Sequence, residues 1–447
     1  MSRINLTEDQ KRAVLARSSS FLVSAAAGSG KTRVLTERLM SYITDENDPK
    51  DIDSFLIITY TRAAAAELRG RILDELSRLS ALEPENRRLR RQSSLCYRAQ
   101  IGTIHSFCTS ILREFCHEAG LTPDFRVGDE DKCAELREKA LEKVLDEAYE
   151  HIDSDSNFAS LADSVGAGRD DSRLVSAILD LHEKMQSHPY PEKWATLQLS
   201  SLDVSGFADA SETIWGREIM KSAEKTAAFW LGRLEETWNF LNSSPSENAP
   251  IISAYGESLC VTMDAMRFFL RALDSGWDCA RNALPIPFPR FKPLKNYAFE
   301  DRKAAVSAVR AACKESMKKF DSLFDAPSEK LLSDLASTVP SMRALIKLTL
   351  DFDRTYSNEK RRLNILDFSD LEHIAVRLLC DPETGMPTET ALLISKRYTE
   401  IMVDEYQDVN AVQDLIFRCI SKDGNNIFMV GDVKQSIYRF RLADPSI

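Results

Sequence analysis

Residues 21–32 have the residue types and the spacing of a phosphate-binding loop. The stretch FLVSAAAGSGKT begins as a short apolar, β-branched run, passes through small residues and ends in Lys31 and Thr32, where a helical pattern starts. The Lys31 ammonium can reach the terminal phosphates of a nucleotide, and the Thr32 hydroxyl can bind Mg²⁺. The positive end of the following helix favours the same anionic group. This stretch therefore predicts nucleotide binding.

The turn of this loop departs from the generic pattern at one position. Gly28 and Gly30, with Ser29 between them, allow successive backbone N–H groups to point at an anion. The pattern G-x-x-x-x-G-K-[ST] has glycine where this chain has Ala25. A glycine-rich helix start without a ligand is the competing interpretation. The strand before the loop and the Lys-Thr pair after it favour a phosphate site.

A second group of polar residues follows another apolar run. The stretch EIMVDEYQD, residues 400–408, has the pattern of a strand whose tip carries Asp404 and Glu405. An aspartate at such a tip can hold Mg²⁺, and the adjacent glutamate can orient and deprotonate an attacking water. An acidic loop at a helix N-terminus is the alternative. The phosphate loop upstream favours the catalytic interpretation.

Two glutamines lie where a side-chain amide can contact a nucleotide. Gln10 belongs to a short predicted helix capped by Thr7, and its amide can pair with an adenine edge. A solvated helix face explains Gln10 equally well. Gln435 ends the stretch NIFMVGDVKQ, a predicted strand with a polar loop. There it can bind a γ-phosphate and couple nucleotide state to the position of that loop.

Three further stretches predict contacts with a single-stranded nucleic acid. The apolar run SFLIITY ends at Tyr60 and is followed by a helical pattern that includes Arg62. The run IGTIHSF, residues 101–107, has the pattern of a third strand end and carries His105. Ligands bind at the carboxyl ends of parallel strands. A structurally satisfied histidine is the alternative at His105.

The third stretch interleaves aromatic and basic side chains. Tyr438, Phe440 and Arg441 belong to the sequence YRFR. Aromatic rings stack on bases and arginines meet phosphates, which holds single strands without reading their sequence. A buried aromatic residue beside surface arginines is the alternative. The net charge of −11 neither supports nor excludes a nucleic-acid partner, because an acidic protein can carry a local basic groove.

Length and pattern predict an α/β protein with an inserted helical domain. The 447 residues suggest two or three domains. We expect a RecA-like parallel-sheet domain of the P-loop NTPase class over residues 1–120 and 363–447, with an all-helical insertion over 121–362. The nine cysteines form no C-x-x-C pair, so neither a zinc site nor a disulfide framework is predicted. No apolar run is long enough for a membrane span, and we expect a cytoplasmic protein.

The motifs together resemble a known family. The stretches AAAGSGKT, TYTRAAAAEL, TIHSF, VDEYQDVNAVQ and VGDVKQSIYRFR resemble, in this order, the motifs of superfamily 1 helicases of the UvrD/Rep type. TIHSFC, ILDFSDLEH and YRFR are more similar still to the AddA or RexA proteins, which are the A subunits of the bacterial ATP-dependent helicase/nucleases. The set is highly specific and spans both ends of the chain, whereas the helical middle adds mainly length.

The resemblance implies a role for each matching residue. Those implied to bind ATP are Gln10, Ala25, Gly28, Ser29, Gly30, Lys31, Thr32 and Arg33, with Mg²⁺ at Thr32 and Asp404. Glu405, Lys31 and Gln435 are implied in hydrolysis. Those implied to hold single-stranded DNA are Tyr60, Arg62, His105, Tyr438, Phe440 and Arg441, and Tyr60 stands where the family more often has phenylalanine.

The implied activity is ATP-dependent 3′–5′ DNA helicase action within a heterodimer with a B subunit that processes double-strand break ends. Such motors close ATP between two RecA-like domains, and neither the second one nor the family's nuclease domain is recognised in these 447 residues. We therefore expect an N-terminal piece that binds nucleotide weakly and neither hydrolyses efficiently nor unwinds alone, since an arginine finger contributes roughly 10³–10⁵ in rate.

Two other functions are compatible with the motifs. The first is a stand-alone repair helicase of the UvrD type without a nuclease. The second is a DNA-binding scaffold that never hydrolyses ATP. Intact Lys31, Asp404 and Glu405 argue against the scaffold, because a protein that does not hydrolyse ATP has no need of this set.

Overall fold

The computed structural model describes residues 6–17, 19–24, 30–165, 170–295 and 297–432. Seven of the predicted site residues lie outside these ranges: Ala25, Gly28, Ser29, Gln435, Tyr438, Phe440 and Arg441.

Seven strands are described. They are β1 (Phe21–Ser24), β2 (Phe55–Ile58), β3 (Gln100–Gly102), β4 (Arg126–Val127), β5 (Ile365–Leu366), β6 (Glu400–Val403) and β7 (Ile427–Gly431). Five of them form one sheet in the order β1-β7-β6-β2-β3, and every pair in it is parallel. Each residue of β2 and β6 is buried, as expected for central strands covered on both faces. The predicted parallel α/β sheet is confirmed.

Seventeen α-helices are described as well. They are α1 (Glu8–Leu15), α2 (Lys31–Ile43), α3 (Arg62–Leu82), α4 (Arg87–Cys96), α5 (Ile104–Glu114), α6 (Glu130–Glu150), α7 (Ser156–Val165), α8 (Ser172–Gln186), α9 (Pro191–Ser201), α10 (Ile214–Ser243), α11 (Pro245–Ser275), α12 (Trp277–Asn282), α13 (Glu300–Leu323), α14 (Ser328–Arg362), α15 (Phe368–Leu379), α16 (Glu389–Ser395) and α17 (Ala411–Cys419). Short 3₁₀ helices cover Ile52–Ser54, Ala210–Glu212 and Tyr406–Asp408.

The strand predicted within residues 101–107 ends earlier than the sequence suggested. β3 stops at Gly102, and the Thr103 hydroxyl accepts a hydrogen bond from the Ser106 N–H at 3.3 Å. Thr103 is thus the N-cap of α5, a role that threonine fills well. His105 consequently lies in the first turn of a helix rather than in a strand.

The chain divides into two compact units. One contains residues 1–196 and 344–447, and the other contains residues 197–343. The second unit is built from helices around a core that includes Leu234, Leu259 and Phe269. Trp230 and Trp238 pack against this core. The insertion boundaries at residues 121 and 362 stay a prediction.

A buried ion pair joins α2 to the start of β6. Two guanidinium nitrogens of Arg38 lie 2.7 and 2.6 Å from the two carboxylate oxygens of Glu400. The third nitrogen donates to the Ala13 carbonyl of α1 at 2.6 Å, and the Tyr42 hydroxyl donates to Glu400 at 3.1 Å. The side chains of Arg38 and Glu400 are only 0% and 4% exposed. A buried charge needs such complete partnering, because desolvation is expensive.

We expect Arg38→Met to lower the free energy of unfolding by about 3–5 kcal/mol, because it leaves Glu400 buried without its partner. Urea denaturation measures this change. Arg397 and Glu114 form a matched control: their bidentate distances are 2.7 and 2.6 Å, but the side chains are 41% and 46% exposed. Arg397→Met should lower stability by less than about 1 kcal/mol. Equal losses for both variants would contradict this interpretation of the buried pair.

Candidate active site

The first residues of α2 are placed by a left-handed glycine. Gly30 is the N-cap of α2 and has φ of 85°, a conformation that glycine adopts at little energetic cost. Lys31 is the first helical residue, and only 9% of its side chain is exposed. The predicted phosphate-binding lysine is therefore fixed at a helix N-terminus, where the backbone favours anions.

The predicted base is brought to this lysine from the other end of the sequence. Lys31 Nζ lies 3.0 Å from Glu405 Oε2, although the two residues are 374 positions apart. Glu405 follows β6 and has φ of 53° and ψ of 47°, a left-handed conformation that is uncommon for residues other than glycine. Such conformations persist where surrounding structure holds them, and they cluster at functional sites.

A cavity of about 340 Å³ lies beside this pair. It is lined by residues of α2, of the segment from the end of β2 into α3, and of the segment after β6, namely Thr32, Thr59, Tyr60, Thr61, Ala64, Glu67, Leu68, Arg71, Asp404, Glu405, Gln407 and Asp408. The cavity thus collects four sequence-predicted residues, Thr32, Tyr60, Asp404 and Glu405. It lies at the carboxyl ends of parallel strands, where α/β sheets bind ligands.

Carboxylates dominate the electrostatics of the cavity. Burial, and then the charge of Glu405, raise the pKa of Asp404 to about 6. The Glu405 N–H donates to Asp404 Oδ1 at 3.1 Å and opposes this shift. Burial and Glu405 also raise the pKa of Asp408 to about 6. Negative charge concentrated in a partly buried site is the arrangement that a cation would relieve.

Thr32 and Asp404 fit the predicted metal site. Both line the cavity, and one offers a hydroxyl and the other a carboxylate. Mg²⁺ is usually held by one or two carboxylates together with substrate phosphates and water. Among the described residues, no group of three or more His, Cys, Asp or Glu side chains is arranged to hold a metal.

Gln10 and Arg33 both lie close to Gly30. A side-chain carbon built on Gly30 would be 3.6 Å from Gln10 Nε2 and 3.8 Å from the Arg33 Cβ. Gln10 Oε1 also accepts a hydrogen bond from the Thr7 N–H at 2.9 Å, which completes a capping box at α1. Arg33 Nε lies 3.8 Å from Glu37 Oε1. Both predicted nucleotide contacts are therefore close to Gly30, which is the last glycine of the predicted phosphate loop.

The three predicted DNA contacts that the structure describes lie just after β2 and β3. Tyr60 lines the cavity, Arg62 is the exposed first residue of α3, and His105 is in the first turn of α5. His105 Nε2 lies 3.0 Å from the buried carboxylate of Glu372, which also accepts from Gln413 Nε2 at 2.7 Å. The imidazole is thus oriented by a buried partner while a third of it stays exposed.

Three residues that the sequence analysis did not single out lie beside the predicted DNA contacts or in the cavity. Phe368 is 49% exposed, and its ring centroid is 4.6 Å from that of His105. Gln407 and Asp408 line the cavity beside Glu405. The stretches ILDFSDLEH and EIMVDEYQD contained all three, but only spatial proximity distinguishes them from their neighbours.

Comparison with known proteins gives one family over nearly the whole chain. Residues 6–447 match the family described as the UvrD/REP helicase N-terminal domain. The chain is 37% identical over its whole length to the A subunit of the ATP-dependent helicase/nuclease of Desulforamulus reducens. It is 37% identical over 99% of its length to the protein of that name from Pelotomaculum thermopropionicum, and 34% identical over its whole length to that from Clostridium acetobutylicum.

The chain is much shorter than these relatives. It spans 36%, 35% and 37% of their respective lengths. In the part of the chain that the structure describes, no helix combines the length and the apolar character needed to cross a membrane.

The raised pKa of Asp404 predicts a pH-dependent effect of Asp404→Asn on the ligand-free protein. The carboxyl has a pKa of about 6 when folded, against an ordinary value of 3.8. Ionisation therefore opposes folding fully above about pH 6 and not at all below about pH 4. We expect Asp404→Asn to be more stable than wild type at pH 8, and this difference to disappear as pH falls through this window. Thermal unfolding in the presence of a chelator measures it.

Asp381 is a control of opposite sign. Hydrogen bonds from the Glu383 N–H and from Thr384 lower its pKa, so Asp381→Asn should remove stabilisation near neutral pH. A stability difference for Asp404→Asn that is the same at pH 4 and pH 8 would contradict the assigned cost of ionising Asp404.

Proposed function

The chain belongs to the UvrD/REP helicase family, and we propose that it forms the nucleotide-binding part of an ATP-driven motor that moves 3′ to 5′ on single-stranded DNA and separates duplexes. The observation that carries the proposal is the shared cavity of Thr32, Asp404 and Glu405, with Lys31 3.0 Å from Glu405. Phosphoryl transfer to water requires a cation, which Lys31 provides, metal ligands, which Thr32 and Asp404 provide, and a base, which Glu405 provides.

Each residue has a distinct role in the proposed hydrolysis. Lys31 neutralises the terminal phosphates, and the Thr32 hydroxyl and the Asp404 carboxylate hold Mg²⁺. When bound, Mg²⁺ offsets the phosphate charge. Glu405 orients the attacking water and accepts its proton, and its contact with Lys31 places it beside the proposed phosphate site. Gln10 and Arg33, which both lie close to Gly30, contact the adenosine part of ATP.

Single-stranded DNA is the proposed partner of the residues that follow β2 and β3. Tyr60, Arg62 and His105 combine aromatic and cationic groups at one edge of the sheet, and Phe368 extends this set beside His105. Stacking on such rings holds bases of any sequence. We propose that Tyr438, Phe440 and Arg441 also contact the single strand.

The proposed parent activity follows the relatives' name. That name describes the A subunit of an ATP-dependent helicase/nuclease, which implies both a partner polypeptide and a nuclease activity. We propose a bacterial cytoplasmic heterodimer with a B subunit that processes double-strand break ends for recombinational repair. A stand-alone repair helicase remains the alternative within the family, and a non-hydrolysing scaffold is the alternative outside it.

Glu405→Gln tests the motor. In the full-length protein, we expect DNA to stimulate ATP hydrolysis by wild type, and the substitution to lower turnover at least about 100-fold while nucleotide still binds, since the amide cannot accept the water proton. Steady-state hydrolysis with and without single-stranded DNA, and titration with a fluorescent ATP analogue, measure the two properties. Turnover that neither DNA nor Glu405→Gln changes would leave the scaffold as the better explanation.

Phe368→Ala tests the DNA surface. We expect it to weaken single-stranded DNA binding by roughly 1–3 kcal/mol, the usual worth of one base–aromatic stack, without changing the KM for ATP measured at saturating DNA. Fluorescence anisotropy with a labelled oligonucleotide measures the affinity. Phe229, which is 59% exposed on α10, is a control for removal of an exposed ring. DNA affinity that is unaltered by Phe368→Ala would remove this residue from the surface.

A further inference from the structure

Gln407 joins the proposed base to the end of β7. It is 6% exposed and lies in the 3₁₀ turn directly after Glu405. Its Nε2 donates to Glu405 Oε2 at 2.8 Å, and its Oε1 accepts from the Asp432 N–H at 2.9 Å. Because the backbone N–H can only donate, the orientation of the amide is fixed, and the nitrogen must face the carboxylate.

The end of β7 is shaped for this contact. A side-chain carbon on Gly431 would lie 2.7 Å from Gln407 Oε1 and 3.3 Å from the Gln407 backbone nitrogen. A carbon atom that is not bonded to an oxygen does not approach it so closely, so a side chain at position 431 would displace the Gln407 amide. The contact is therefore close and leaves little room for adjustment.

Two donors from different elements converge on one oxygen of the base. Glu405 Oε2 lies 3.0 Å from Lys31 Nζ and 2.8 Å from Gln407 Nε2. Lys31 opens α2, whereas Gln407 is tied to β7. The carboxylate is thus held between the helix that begins at the phosphate loop and the strand that leads into residues 433–447. A shift at the end of β7 would move one of the two donors.

We propose that Gln407 is a positioning residue that transmits the position of β7 to the Glu405 carboxylate. This inference rests on the proposed role of Glu405 in activating water. The sequence after β7 contains the residues proposed to contact the γ-phosphate and DNA. A shift at the end of β7 would change the position of the base through one amide, and with it the rate of hydrolysis.

Three variants in the full-length protein test the coupling. Gln407→Glu keeps the acceptor for Asp432 but places a like charge against Glu405. Gln407→Asn keeps the amide, but the shorter side chain cannot reach both Glu405 and the Asp432 N–H. Gly431→Ala pushes the Gln407 amide away from the end of β7 without changing a polar group. We expect each to lower kcat at saturating DNA by about 10–100-fold, as misplacement of a catalytic group does. The KM for ATP and the affinity for a fluorescent ATP analogue should stay within about twofold.

Gln92 provides a matched structural control. It is fully buried, accepts from the Ile52 N–H at 2.9 Å and donates to the Asp51 carboxylate at 2.6 Å, which are the same kinds of contact. Gln92→Glu should lower thermal stability and leave the DNA-stimulated kcat of the folded fraction unchanged. If Gln407 only stabilised the fold, Gln407→Glu would likewise lower thermal stability and leave the DNA-stimulated kcat of the folded fraction unchanged.

The outcomes separate this inference from the function on which it rests. Wild-type kcat in Gln407→Asn or Gly431→Ala, together with inactive Glu405→Gln, would overturn the coupling and leave the motor intact. Normal hydrolysis by Glu405→Gln would overturn both. If Gln407→Glu does not fold, the neutral Asn variant decides the question.

Discussion

Two contacts fix helix α2 against strand β6, and the site depends on both. Arg38 binds Glu400 at the start of the strand, and Lys31 meets Glu405 just past its end. Lys31 and Arg38 are seven positions apart, which is about two helical turns, so they lie on the same side of α2. The buried pair ties the helix to the start of the strand, which keeps the lysine close to the carboxylate at the end of the strand. The buried charges thus specify geometry as much as they stabilise.

The site holds more negative charge than its own residues neutralise. Asp404 and Asp408 have raised pKa values because they are partly buried near Glu405, and Lys31 is a buried cation beside them. A protein selected only for stability would replace such carboxylates with neutral groups. Their presence is explained if a cation and a phosphorylated substrate complete the charge balance on binding.

Local sequence predicted the elements better than the contacts between them. β2, β6 and β7 were found because central parallel strands are continuous apolar runs, and Lys31, Asp404 and Glu405 because they follow recognisable strand ends. β3 was predicted too long, since Thr103 ends the strand by capping a helix. The Arg38–Glu400 pair spans 362 positions, and Gln407 gains its partners only in three dimensions. The periodicity of apolar residues within a short stretch does not predict contacts between residues so far apart in the sequence.

The strand order has a consequence for synthesis. β1 and β2 are synthesised early, but β7 and β6 lie between them in the sheet. Phe21 therefore cannot pair until Phe428 has been synthesised, and Ile58 cannot pair with β6 until Val403 has been synthesised. At 5–20 residues per second, the ribosome needs roughly 20–80 s to supply these partners. During that interval the helical unit of residues 197–343 has all its own contacts available, because they are local in the chain. The five-stranded sheet is therefore completed late, and its first strands need protection from other chains until then.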